Sequence, residues 1–305
     1  MSAITSATTS QKVRKDKASH GSLGGKKMSL GGRSLTHTLL IAVAIVWLIP
    51  AVGLLVASFR TAADTNREGW WAALLPPWNF TLDNYAAVFG RDGLWNAFLN
   101  SLYITIPATV LVTMVAGFAA YAFAWMKFPG RDVIFLAMVG LLVVPLQVTL
   151  IPVLSLFRGT PLAGSFAALW LAHTGYGLPF AVFLLRNYIG GLPGSVMEAA
   201  KIDGASHAQI FFRLIVPMSV PALASLIIFQ FLWVWNDLLV ALVFLGPVPG
   251  NLPLPVALAN LVTNFGGNWQ FVTAAAFVSM AVPLAVFFAL QRYFVHGITA
   301  GSVKG

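Results

Sequence analysis

The chain has 305 residues, no cysteine and a net charge of +9; 58% of it is hydrophobic and only 9% charged, with a mean hydropathy of +0.83. Soluble domains carry about 25% charged residues, so most of this chain does not face water, and a bilayer is its solvent. The absence of cysteine excludes disulfides, thiolate metal sites and a cysteine nucleophile, while +9 raises nucleic acid as a partner until the positions of the charges are examined.

Residues 1–36 are rich in Ser, Gly and Lys, with seven basic residues and a single acidic one, Asp16. Such a composition cannot bury a core, so a disordered tail is expected. Within it, "GSLGGKK" (21–27) superficially resembles a phosphate loop. Its glycine spacing to Lys26 is one residue short, Lys27 stands where Ser or Thr belongs, and no strand precedes it, so it is set aside.

His37 to Ser58 is a run of 22 residues without an acidic side chain, Lys or Arg. At ~1.5 Å per residue it reaches about 33 Å, enough to cross the hydrocarbon core. It is long for a signal-peptide core and follows a long basic tail, which makes it an uncleaved first span. Further apolar runs lie near 97–126, 133–156, 167–189, 214–242 and 271–293. In hydrocarbon each must be helical, because no water satisfies the backbone. The expectation is an all-α polytopic protein of six helices, kinked at prolines 50, 107, 145, 152, 179, 221 and 283.

Six spans place both termini on one side. Lys and Arg then number 14 on the side of the tail, 127–132, 186–213 and the C-terminus, against four (Arg60, Arg67, Arg91 and Arg158) opposite. The positive-inside rule makes the first side cytoplasmic. The basic excess is thus a topology signal, and no nucleic-acid partner is implied. Two external loops follow, 59–96 and 243–270. Their tryptophans suit an interfacial aromatic belt, or docking and sugar stacking. Asn79-Phe80-Thr81 matches a glycosylation sequon, a weak signal that depends on the host.

The connection 190–217 is unusual. "VMEAAKIDGASHAQIFFRLIVP" (196–217) puts Glu198, Lys201, Asp203 and Arg213 between greasy runs. Pro193 and Gly194 break the chain, and Ser195 with Glu198 three residues on forms an S-x-x-E capping box. A short helix through Ala199, Ala200 and Lys201 is predicted, then a turn at Gly204 and a second helix from Ser206. Singly, Glu198 reads as a cap and Gly204 as a turn. Together, with a small Ala-Ala pair that lets another surface approach, they describe a docking knob.

These residues carry a resemblance. Glu198-Ala199-Ala200, three residues, Gly204, nine residues and Leu214-x-Val216-Pro217 is similar to the EAA loop of ABC-importer permeases, with Leu214 and Val216 where isoleucine and leucine are usual. "QRYFVHGITAGSVKG" (291–305), "WVWND" (233–237) and "PPWNFTLDNYAAVF" (76–89) look like carbohydrate-uptake permeases of the maltose-type, MalG-like family. The resemblance covers about 37–305. It implies a type I importer permease fold: a basic cytoplasmic tail (1–36), a transmembrane domain (37–293) and a cytoplasmic C-terminal tail (294–305). The implied partners are a second homologous permease, a dimer of ATPase subunits, an extracytoplasmic sugar-binding protein and membrane lipid. Mg-ATP would be held by the ATPase, with no cofactor or metal in this chain and no catalysis by it. Glu198, Ala199, Ala200, Lys201, Asp203 and Gly204 would dock into the ATPase. Gly297, Thr299, Gly301 and Lys304 would reach the ATPase interface in an extended strand. In the maltose-type relative the last external loop enters the binding protein, a part for 250–268, and the partner permease makes most sugar contacts.

Inside the spans, ionisable groups are few, and each is a functional suspect. Trp233, Trp235, Asn236 and Asp237 could line the outer part of a sugar path; alternatively Asp237 only satisfies a helix end. For His173 a helix–helix hydrogen bond is expected. The reading is a permease subunit of an ATP-driven importer of a sugar or oligosaccharide in a bacterial or archaeal cytoplasmic membrane. A non-sugar cargo is an alternative. A self-contained secondary transporter is another, but it needs a mid-membrane ion site within internal repeats, and none is visible.

Overall fold

Helices satisfy their own backbone groups, which is why apolar runs immersed in lipid adopt them. The computed structural model describes residues 30–90, 94–246, 250–264 and 269–302, with the backbone alone at 30–33, 263–264 and 293–302. Its helices in chain order are α1 (Leu30–Ser58), α2 (Ala62–Arg67), α3 (Asp83–Gly90), α4 (Leu94–Trp125), α5 (Arg131–Gly140), α6 (Leu146–Phe157), α7 (Phe166–Gly190), α8 (Gly194–Ile202), α9 (His207–Ile210), α10 (Val216–Met218), α11 (Val220–Trp235), α12 (Leu239–Leu245), α13 (Leu254–Asn264) and α14 (Trp269–Ser302). Among the described residues the only β pairing is a bridge between Arg60 and Phe80.

The chain divides into two units, 1–50 and 51–305. The first holds most of α1, whose residues 34–50 all stand exposed, as a lipid-facing helix requires. This helix starts at Leu30, earlier than the predicted boundary at 37. Once a long apolar run has nucleated a helix, adding residues to its end costs little. The remaining tail, 1–29, lies outside the described residues.

In the second unit α4 and α7 pack side by side. The buried face of α4 includes a ridge at three- and four-residue spacing: Ala97, Ser101, Thr105, Ala108, Val112, Ala116 and Ala120. Facing it on α7 are Ala168, Ala172 and Ala181 among larger residues. Lipid supplies no hydrophobic drive between helices, so close backbone approach through small side chains holds such pairs together. Trp170 Nε1 donates to Tyr103 O at 3.0 Å and Trp125 Nε1 to Ile189 O at 3.1 Å, pinning both ends of the pair.

Among the described residues, four helices are long and apolar enough to cross a membrane: Ser34–Ser58, Leu94–Trp125, Phe166–Gly190 and Trp269–Arg292. The predicted runs 133–156 and 214–242 are each broken. Arg131–Val143 meets Leu146–Phe157 at 112°, and His207–Met218 meets Val220–Trp235 at 77°, so six spans result if each bent pair counts as one. Proline explains where the breaks fall. Pro145 and Pro221 sit beside them, where each lacks an N–H to continue the helix and restricts the residue before it. Val144 accordingly is extended. Prolines 50, 107, 152, 179 and 283 lie inside unbroken helices.

Residues 59–90 of the first external loop are folded rather than loose. Arg60, only 5% exposed, donates to Glu68 O at 2.9 Å and Gly69 O at 2.7 Å. Asn84 Nδ2 donates to Ser58 O and Arg60 O, both at 2.8 Å. The loop 243–270 is likewise anchored: Asn100 Nδ2 donates to Gly250 O at 2.7 Å, and Leu254 N to Ser101 Oγ at 2.8 Å. Most of the stretch proposed to enter a binding protein, 250–268, therefore folds back as α13 on α4 and α14; residues 265–268 lie outside the described set.

Candidate functional site

The charged connection is α8, a turn, and a second helical stretch. On α8, Met197 and Ala200 are buried in the cluster formed with Ile189 and Ile210, whereas Glu198, Ala199, Lys201, Ile202 and Asp203 face outward. Ile202 is 86% exposed, a large apolar side chain at the tip of the helix. Ala200 is thus not on the outer face. Of the Ala-Ala pair only Ala199 offers the close approach anticipated from sequence.

The predicted cap is also corrected. The helix begins after Pro193, with no side-chain cap, so Ser195 lies within the first turn and the Ser195–Glu198 box does not form. A capping box does occur at the next helix, as Ser206 N donates to Gln209 Oε1 at 2.8 Å and Gln209 N to Ser206 Oγ at 3.3 Å. Between them Gly204 adopts φ +75°. Ala205 N bonds Ala200 O and Gly204 N bonds Lys201 O, the paired closure that ends a helix at a left-handed residue. A Cβ on Gly204 would meet nothing within 4 Å, so the backbone turn, not crowding, calls for glycine there.

Past Ser206 the chain tightens into α9, widens to a π-helix at Phe211–Ile215 and bends at Ser219. Tyr121 Oη and His207 Nδ1 share a hydrogen bond of 2.9 Å, and Phe118 stacks on Phe211 with centroids 4.7 Å apart. The stretch that follows α8 is therefore packed against α4.

At the C-terminus the backbone remains helical to Ser302, so Gly297, Thr299 and Gly301 lie on a continuation of α14 and not in the expected extended strand. With no proline after Pro283, nothing stops the helix from propagating. Lys304 lies outside the described residues.

The four residues of the expected sugar path do not share a surface. Trp235 is 1% exposed, its Nε1 donating to Ser279 O at 3.1 Å and its ring stacked on Phe231. Asn236 Nδ2 turns back to Leu232 O at 2.8 Å. Asp237 accepts from Val240 N at 3.3 Å and Ala241 N at 3.0 Å, closing the start of α12. Only Trp233 lines a large cavity. His173 is fully buried, and neither ring nitrogen has a hydrogen-bond partner. Asp237 Oδ2 lies 3.7 Å from its Nε2, beyond hydrogen-bond length, so the expected helix–helix bond is absent.

Sequence reasoning passed over the residues around Trp233. Tyr176, Gly177 and Phe180 of α7 and Phe229 and Gln230 of α11 join it around a cavity of about 320 Å³. The available signal was Gln230, a lone amide in the otherwise apolar "LIIFQFLWVW".

A protein-family model described as "Binding-protein-dependent transport system inner membrane component" matches residues 112–300, a stretch that holds the whole EAA-like segment. The chain belongs to this family. Among similar proteins, the osmoprotective compounds uptake permease protein GgtD of Synechocystis sp. is 55% identical over 271 residues, 88% of this chain and 91% of that one. The alpha-glucoside transport system permease protein AglG of Rhizobium meliloti is 54% identical over 259 residues, 81% and 68% of the two chains. The fold is that of a chain in the crystal structure of a bacterial alginate ABC transporter in complex with an alginate pentasaccharide-bound periplasmic protein, with a TM-score of 0.64, 13% identity and coverage of 85% and 94%. As an inner membrane component of such a system, the chain is a multi-helix membrane permease subunit rather than an enzyme in itself.

Proposed function

We propose that the chain is one of two permeases in an ATP-driven importer of a neutral sugar or oligosaccharide, in a bacterial or archaeal cytoplasmic membrane. Its partners would be a second permease, a pair of ATPase subunits holding Mg-ATP, and an external binding protein. The observation that carries the reading is the outward face of α8. Glu198, Ala199, Lys201, Ile202 and Asp203 project from a helix anchored by Met197 and Ala200, in a family whose members serve binding-protein-dependent transport. A lipid-immersed chain has no internal use for that face; a cytoplasmic motor does. Closure of the ATPase pair around ATP would push α8, and the movement would pass through His207–Met218 to α11. The spans then favour inward- or outward-facing states according to which one the nucleotide and the loaded binding protein bind more tightly. The helical continuation through Gly297, Thr299 and Gly301, with Lys304 beyond, would approach the same motor.

Neutral sugar as cargo is supported by the alpha-glucoside permease at 54% identity. A second reading, an osmoprotective compound such as glycine betaine, rests on the relative at 55%, whose name specifies osmoprotective compounds only. The test is to purify the chain with its companions from the native membrane, reconstitute them and follow labelled sucrose, trehalose and glycine betaine. ATP-dependent sucrose or trehalose uptake is expected. Uptake of glycine betaine alone would replace the cargo, and transport by this chain without ATP would overturn the importer. In the same system Ile202→Asp, at a site exposed enough to leave insertion intact, should cut uptake to below about a tenth, the size of effect expected when a buried interface anchor is lost.

A further inference from the structure

The cavity between α7 and α11 has features that the packing of these helices does not explain. Its lining is Tyr176, Gly177, Phe180, Phe229, Gln230 and Trp233, and its volume, about 320 Å³, falls in the range of small-molecule sites. Gln230 is 3% exposed, yet its Nε2 has no hydrogen-bond partner. The Tyr176 hydroxyl is buried and equally without one. Buried donors in proteins are nearly always paired, and an unpaired one in an apolar span is costly, so two beside one cavity need a reason. Glycine at 177 is part of the arrangement. A Cβ there would lie 2.7 Å from Gln230 Oε1 and 2.9 Å from Nε2, so the amide lies flat against α7 only because residue 177 has no side chain.

The rest of the lining is aromatic and accessible: Phe180, Phe229 and Trp233 are 39%, 44% and 37% exposed, and the rings of Phe180 and Phe229 meet edge to face at 88°. Exposed aromatic faces bind the C–H face of a pyranose, whose slightly positive hydrogens meet the negative ring face. The two donors match hydroxyl or ring oxygens. No Asp, Glu, Lys or Arg is in the lining, so neither a uronate nor a cation finds a counter-charge there. A larger neighbouring cavity of about 520 Å³ shares Tyr176 and Trp233, but its other walls are mainly aliphatic.

We propose that Tyr176 and Gln230, framed by Phe180, Phe229 and Trp233 and made possible by Gly177, form a transmembrane subsite for one neutral hexose unit in this subunit itself. Tyr176 Oη and Gln230 Nε2 donate to sugar oxygens, and the aromatic rings hold the apolar face. The site rests on the reading of the chain as a sugar permease and deepens it, assigning to this subunit a direct contact with the cargo.

The experiment uses the reconstituted complex with Tyr176→Phe, Gln230→Leu and Gly177→Ala, each checked for assembly with its companions by size-exclusion chromatography. Uptake of labelled trehalose and sucrose is measured for each. Loss of one donor should lower uptake about tenfold or less, as expected for a neutral hydrogen bond, and should shift the trehalose-to-sucrose ratio, because the two disaccharides present different oxygens. Gly177→Ala should act like Gln230→Leu, by displacing the amide. Assembled variants with wild-type rates and ratio, or an equal fall for both sugars at an unchanged ratio, would overturn the subsite. If instead the wild-type complex moved glycine betaine and neither sugar, the cargo reading beneath it would fail, an outcome visible before any variant is made.

Discussion

Asp237 shows how a residue's neighbours settle a question that its type leaves open. A carboxylate at the edge of an apolar run is suspect, yet here both oxygens face backbone N–H groups at the start of α12, and the nearest ring nitrogen of His173 is 3.7 Å off. Capping requires acceptor oxygens and not a charge, and Asn keeps one of the two while turning an Nδ2 donor toward the other N–H. Asp237→Asn should therefore keep uptake within about twofold of wild type with an unfolding midpoint between those of wild type and Asp237→Ala, which should cost ~1 kcal/mol through the lost cap. Both are read by comparing unfolding midpoints with uptake in the same preparations. Abolished uptake in a fully stable Asp237→Asn protein would restore the carboxylate to the transport path.

At the scale of elements, the α4–α7 pair depends on small side chains along one ridge. Ala116 is fully buried there, whereas a Cβ at the adjacent Gly117 would approach only Phe211 Cζ, at 3.6 Å. Ala116→Leu should destabilise by about 1–3 kcal/mol, the usual cost of overfilling a packed interior. Gly117→Ala should be neutral or slightly stabilising, since ordinary contact is gained and glycine's cost in a helix removed. A thermal shift that ranked them the other way would mean that another face of α4 carries the contact. The helices α1, α4, α7 and α14 were legible in the chain because length and lack of charge suffice for a span. The breaks were not. Pro145 and Pro221 accompany bends of 112° and 77°, whereas Pro107, Pro179 and Pro283 sit in continuous helices, because neighbouring helices decide whether freed backbone groups are re-satisfied. The same limit applies at the candidate sites. Residues 233–237 are consecutive, but successive helical positions point about 100° apart and the helix stops at Trp235, so only Trp233 reaches the cavity. Gln230 and Tyr176, 54 positions apart in sequence, meet only once α7 and α11 have packed.

For the molecule as a whole, the 112° bend between α5 and α6 decides which side of the membrane the α8 face occupies. If the bent pair crosses, Asp132 and Ser206 lie on one side and Thr160 on the other. If it dips in and returns, Asp132 and Thr160 share a side, and α7 carries Ser206 to the opposite one. The charges favour crossing: Lys127 and Arg131 then stand on the same side as Arg186, Lys201 and Arg213, as the bias of basic loops demands. A return would split them. Because the chain has no cysteine, single replacements Asp132→Cys, Thr160→Cys and Ser206→Cys give unambiguous reporters, and all three positions are exposed. A membrane-impermeant maleimide added to intact cells should label Thr160→Cys alone, with the other two reacting only after permeabilisation. Labelling of Ser206→Cys in intact cells, with Thr160→Cys protected, would make the α5–α6 pair re-entrant and put α8 outside, beyond the reach of any cytoplasmic ATPase. The importer mechanism and the six-span topology thus stand or fall on the same three reporters.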